Sequence, residues 1–182
     1  VSGSAIAGTA SMNKDGEGTL ILSNSNKYTG ATVIHDGVVE INTLKNGGQP
    51  SSIGASIADP QNLILDGGTL RYTGNSTSTD RGARLMAPST LEISNASATL
   101  TAGGRFEGTG NLTLDGKGTL AIADAANFFA YTGDLNLKGG TIYFTDVENA
   151  CKAFGSLGKK VIMSGGTMRF AYKNEDYQTF TF

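Results

Sequence analysis

The sequence predicts an all-β protein built as a parallel β-solenoid, a coil of short strands stacked on itself. First, a unit of short strand, glycine turn and short strand recurs. It reads Leu63-Ile64-Leu65-Asp66-Gly67-Gly68-Thr69-Leu70-Arg71-Tyr72, and returns at Leu135 to Phe144 around Gly139-Gly140 and at Val161 to Phe170 around Gly165-Gly166. Corners at Gly116, Gly139 and Gly165 are 23 and 26 residues apart, a period at which each unit can bury its apolar face only by stacking on the next. Second, apolar and polar residues alternate within each strand, as burial on one face requires. Third, 26 of 182 residues are glycine, 38% are hydrophobic and Trp is absent, which suits short strands and tight turns better than a bulky helical core. A β-sandwich would separate its strands by varied turns, whereas here the turn chemistry repeats.

Taken in order, Val39 and Ile41 form the first inward pair, and Leu63/Leu65 with Leu70/Tyr72 flank the Gly67-Gly68 corner. Looser copies run from Leu91 to Leu100 and from Leu112 to Ile122, where Leu120 and Ile122 point inward. Leu135/Leu137 with Ile142/Phe144, and Val161/Met163 with Met168/Phe170, complete the set. Stacked coils would turn these positions into aliphatic columns, each strand bonding in parallel to its counterpart one coil away. Paired glycines at the corners permit positive φ and leave room for the coils above and below. One segment departs from strand logic. Thr145 and Glu148 are spaced as a capping box, and Val147, Ala150, Cys151 and Phe154 follow at helical spacing before Gly155. This predicts a short helical insertion over 146–154, with Cys151 buried as a small hydrophobe.

Residues 1–182 read as one solenoid module, since no linker or composition break divides them. The chain lacks an initial Met, carries no signal-peptide pattern and stops soon after a repeat, so it is expected to be a piece of a longer protein. Sixteen acidic residues balance fourteen basic ones without clustering, which removes the electrostatic case for nucleic acid or anionic membranes. No apolar run approaches the roughly 18 residues of a membrane span. A single cysteine excludes a disulfide framework within the chain.

Chemistry-bearing motifs are sparse. His35 beside Asp36 has no nucleophile tied to it and reads as an exposed turn histidine. Asp36, Asp66, Asp115 and Asp134 fall at turns, where the geometry favours Asp without catalysis. Asp80, Arg81 and Arg84 are expected to form a structural salt link at a coil corner. Gly116-Lys117-Gly118-Thr119 lacks phosphate-loop spacing, and the Gly-Gly-Thr units lack the Asp of calcium-binding rolls. No catalytic residue, cofactor or metal is therefore expected. Aromatics gather late in the chain (Phe128, Phe129, Tyr131, Tyr143, Phe144, Phe170, Tyr172, Tyr177, Phe180 and Phe182). Among them Tyr143 and Tyr172 are the candidate outward ligand contacts, suited to stacking on a sugar.

From Gly16 to Ile41 the chain reads GEGTLILSNSNKYTGATVIHDGVVEI. This resembles the autotransporter-associated β-strand repeat, also called the passenger-associated transport repeat. That family's pattern is G-x-G-T-L-x-L-S-G-x-N-x-Y-T-G-x-T-x-I-x-x-G-x-L-x-I, from which Asn24 and Val39 are departures. The resemblance implies a right-handed, single-stranded, pectin-lyase-like parallel β-helix in a secreted or surface-displayed protein of a Gram-negative bacterium. It further implies a non-enzymatic stalk, scaffold or passenger segment, because the motif holds no catalytic residues. Gly18, Thr19, Leu20, Tyr28, Thr29 and Gly30 would be corner and core positions. The alternative is a carbohydrate-binding or polysaccharide-processing module on the same fold, and an adhesive surface for a protein partner is weaker still. Partners would then be glycans, a host or cell-surface protein, and flanking modules of the parent chain.

Overall fold

Residues 3–150, 158–171 and 177–181 are described by a computed structural model, in which short strands wind into a stacked coil of three sheets. The first sheet runs, in spatial order, through β1 (Met12–Lys14), β3 (Thr32–Ile34), β5 (Leu63–Asp66), β8 (Ala83–Ala87) and β11 (Phe106–Gly108). The second holds seven strands and so marks seven turns of the coil: β2 (Thr19–Leu22), β4 (Val38–Ile41), β6 (Thr69–Tyr72), β9 (Ser89–Ile93), β12 (Leu112–Gly116), β14 (Leu135–Leu137) and β16 (Val161–Met163). The third holds β7 (Thr77–Thr79), β10 (Thr99–Ala102), β13 (Thr119–Ile122), β15 (Thr141–Phe144), β17 (Thr167–Ala171) and β18 (Tyr177–Thr181). Every pairing between strands of successive coils is parallel, as the crossover around a coil demands. The exception is β18, which folds back antiparallel on β17.

Inward residues meet in columns. Along the second sheet Leu20, Val39, Leu70, Leu91, Leu114, Leu137 and Met163 are consecutive ladder partners. Along the third, Leu100, Leu120, Ile142 and Met168 do the same. Leu120 and Ile142 are 1% and 0% exposed, so the columns lie at the buried centre of the coil. The core grows aromatic toward the C-terminal end, where the Phe129, Phe144 and Phe170 rings stack at centroid distances of 5.7 and 5.2 Å.

The repeat units do not all occupy the same corner, and this corrects the expected columns. Gly67-Gly68 turns the chain from the first sheet to the second, whereas Gly116, Gly139-Gly140 and Gly165-Gly166 turn it from the second to the third. Leu63/Leu65 therefore share no column with Leu91/Ile93 or Leu112/Leu114, and Leu70/Tyr72 share none with Leu120/Ile122. Alternation says which residues face inward. It does not say which side of the coil a strand forms. The phase changes between Gly68 and Gly116; earlier, residues 42–59 form an irregular excursion that fills the third side of its coil before the third sheet begins. Glycine pairs serve both kinds of corner alike. Gly67, Gly140 and Gly166 take positive φ, and a Cβ on Gly68, Gly139 or Gly165 would collide with the coil beneath at 2.4 to 2.7 Å.

Helix is scarce and differs from expectation. A single turn, α1 (Ala125–Phe128), takes the place of a first-sheet strand above β11, with Phe128 and Phe106 centroids 5.0 Å apart. Asp124 caps it by accepting from the Asn127 N–H at 3.0 Å. In the expected insertion residues 147–150 are helical. The cap there is Asp146, whose Oδ1 accepts from Asn149 N–H at 3.1 Å, rather than Thr145. Cys151 and Phe154 lie outside the described residues.

Candidate functional site

Outward positions on the sheets are the surfaces this fold can present. Tyr143 projects from β15 on the third sheet, between Ala121 and Arg169 in register. The Arg169 guanidinium carbon lies 5.5 Å from its ring centroid, a cation–π contact. Tyr172, the other candidate, lies outside the described residues. Beside Tyr143 runs a ladder of threonines, Thr99, Thr119, Thr141 and Thr167, each at the start of its strand. β-Branched residues suit such exposed rungs.

The second sheet carries charge on its outer face. Arg71 bridges Glu40 at 3.4 Å and Glu92 at 2.8 Å, and Lys138 pairs with Asp115 at 3.0 Å. Glu92 and Asp115 are direct ladder neighbours of like charge, held between those two cations. Burial pushes the Asp115 carboxyl up, but hydrogen bonds from Lys138 and the Gly116 amide outweigh it and hold the group below its ordinary value. This arrangement ties successive coils together across their rungs.

His35 pairs across coils with Asp66, Nδ1 to Oδ2 at 3.0 Å, and not with its neighbour Asp36. Asp36 instead accepts from the Gly37 N–H at 2.6 Å. The expected Asp80–Arg81–Arg84 salt link does not form. Arg84 faces Glu107 at 3.8 Å. Arg81 is buried and donates to the carbonyls of Lys45, Gln49 and Gly54 and to the Ser56 hydroxyl at 2.9 to 3.4 Å. Desolvation lowers its pKa. An adjacent Asp-Arg pair in the sequence suggested an ion pair, but in the bend between β7 and β8 Arg81 turns inward while Asp80 stays exposed and accepts from the Gly47 N–H.

Sequence reasoning missed Lys159. Its Nζ sits 3.3 Å from the Tyr131 ring centroid and donates to Tyr131 O at 2.6 Å and Phe129 O at 3.3 Å. Burial brings its pKa down to about 8. No motif marks this lysine, because its partners are backbone carbonyls one coil below. Tyr131 is buried, and its hydroxyl has no hydrogen-bond partner among the described residues.

Two cavities lie among the described residues. One of about 30 Å³ lies inside the coil among Leu44, Leu65, Ala83, Leu91 and Arg81, room for about one water. An open groove of about 200 Å³ separates the 42–45 and 72–77 segments above Tyr72. Among the described residues no group of three or more His, Cys, Asp or Glu could hold a metal ion. No helix among them is long and apolar enough to cross a membrane.

Comparison with known proteins bears on the same segments. Residues 12–41, from β1 to the end of β4, match the passenger-associated-transport-repeat model. Over 127 residues the chain is 44% identical to the adhesin BmaC autotransporter of Brucella suis biovar 1 (strain 1330). That stretch covers 69% of this chain and 4% of the adhesin, so the chain spans only a small part of its relative's length. No solved structure matches.

Proposed function

We propose, from the passenger-associated transport repeat that the chain carries at residues 12–41, that it is a non-enzymatic scaffold segment of a bacterial surface or secreted passenger. The observation that carries this reading is the second sheet, whose seven strands pair without a break from β2 to β16. Each coil adds about 4.8 Å of height, so the chain is a short rigid rod whose side chains are committed to stacking. The parent protein would be exported to the surface of a Gram-negative bacterium, with flanking modules continuing the rod.

A second reading, carbohydrate recognition on the third sheet, draws support from Tyr143 with Arg169 over its ring. A protein partner is the third, since the relative is an adhesin by name. The deciding experiment is a binding screen of the chain and of Tyr143→Ala against plant, host and bacterial glycans. The scaffold reading expects silence from both. Saturable binding of a defined glycan that disappears in Tyr143→Ala would transfer the function to carbohydrate recognition.

A further inference from the structure

The turn Asn46-Gly47-Gly48-Gln49 carries an arrangement that a scaffold has no need of. Of all the asparagines in the chain, only Asn46 precedes a glycine. The turn is closed by the Gln49 N–H on Asn46 O at 3.1 Å and anchored by the Gly48 N–H on Ser56 O at 2.9 Å. One coil above, Asp80 grips it twice. Its carboxylate Oδ1 accepts from the Gly47 N–H at 2.7 Å, and its own backbone N–H donates to Asn46 Oδ1 at 3.1 Å.

We propose that Asn46 is a site of self-catalysed modification, in which the Gly47 nitrogen closes onto the Asn46 side-chain carbonyl with Asp80 as base and oxyanion donor. The requirements are those of any amide-nitrogen attack. The nucleophile must lose its proton, and a carboxylate already at hydrogen-bond distance from that N–H is placed to take it. Negative charge develops on Asn46 Oδ1, where the Asp80 N–H already points. Glycine at the attacking position leaves the approach to Asn46 Cγ unobstructed by a Cβ, and fixing the groups in one turn makes the reaction intramolecular.

The step balances without any co-reactant but water. The Gly47 N–Asn46 Cγ bond forms as the Gly47 proton passes to the Asp80 carboxylate. That proton returns to Asn46 Nδ2 as the Cγ–Nδ2 bond breaks, and ammonia leaves. Water then opens the cyclic imide, giving aspartate by attack at Cγ or isoaspartate by attack at the Asn46 backbone carbonyl. Either product puts a second carboxylate against Asp80. The isoaspartyl product also lengthens the backbone of a segment whose Lys45 and Gln49 carbonyls hold Arg81. Conversion therefore loosens the excursion from the coil above it, a slow chemical clock on an exposed loop. This inference is independent of the scaffold reading.

The test incubates the folded chain, Asp80→Asn and a synthetic peptide spanning residues 42–52 near neutral pH. Peptide-mapped mass spectrometry follows replacement of the Asn46 amide by hydroxyl, and an enzymatic assay follows ammonia. Asp80→Asn keeps the shape and an accepting oxygen but cannot take the proton. Conversion at Asn46 is expected to run at least about tenfold faster in the folded chain than in the peptide, and to fall about tenfold or more in Asp80→Asn. A rate unchanged or raised by Asp80→Asn, with melting intact, would overturn the proposal. If the variant melts early, the peptide decides alone: a folded chain no faster than the peptide overturns it.

Discussion

Arg81 directs its guanidinium at three carbonyls and a hydroxyl of the 42–59 excursion, of which the Gly54 carbonyl and the Ser56 hydroxyl are withdrawn from water. Arg81→Met should cost about 3 kcal/mol, because it leaves buried acceptors unpaired. Urea melts would show the loss, and faster hydrogen exchange at Gly54 to Ser56 would locate it. Leu120→Asp or Ile142→Asp should abolish folding. A charge in the apolar column costs several kcal/mol against a total stability of about 5–15 kcal/mol, and a soluble, cooperatively melting variant would count against the columns. Lys159 has a folded pKa of about 8, below the ordinary lysine value of about 10.4. Between pH 8 and 10 the unfolded chain then binds more protons, so this group makes stability rise with pH, by roughly 1 kcal/mol once solvent screening is allowed for. Burial raises the pKa of Tyr28, Tyr72 and Tyr131, so their opposite effect starts only near pH 10. In Lys159→Met the rise in melting temperature from pH 8 to 10 should vanish.

At the scale of elements, the strand–turn–strand units were legible because glycine pairs and two-residue alternation have few other meanings. Their assignment to sheets was not. Leu65-Asp66-Gly67-Gly68 and Leu137-Lys138-Gly139-Gly140 look alike, yet they occupy different corners. What separates them is a switch between Gly68 and Gly116, where the first-to-second corner passes to Pro88 and then to residues 109–111 and the glycine turn moves on to the next corner. The turn α1 escaped notice because two short alanines and two phenylalanines show no helical stripe. Asp124 followed at three residues by Asn127 was the available signal. Asp124→Ala should destabilise the chain by about 1 kcal/mol, measured by thermal melts, and should loosen the packing of Phe128 on Phe106. No loss of stability would mean that the aromatic contacts alone hold this corner.

Over the whole molecule, three complete sheets surround only the coils between β5 and β13. Among the described residues the first two coils lack a third-sheet strand, and the coil of β14 and β15 has the turn α1 where a first-sheet strand would lie. In a stack stabilised by nearest neighbours the middle should open last. Hydrogen exchange is expected to be slowest in β9, β10 and β12, and faster in β2 and β16. Equal protection from end to end would show that the irregular sides seal the coil as well as strands do. The ends also leave core columns half covered: Met12 and Leu20 at one, Val161, Met163 and Phe170 at the other. At the C-terminal end β18 pairs along the outer edge of β17, which carries Phe170.

The sequence by itself determined the repeat, the inward-facing set and the resemblance of residues 16–41 to a known repeat, since periodicity and turn chemistry are local properties. Only the tertiary structure decided which side of the coil each strand forms, that His35 meets Asp66 and not Asp36, and that Arg81 is held by carbonyls rather than acids. It also placed Lys159 over Tyr131 and set Asp80 against the Asn46–Gly47 bond. Each of those contacts joins residues 28 to 36 positions apart, one or more turns of the coil. Which residues meet across such a turn depends on the length of every side in it, and no local pattern records that sum.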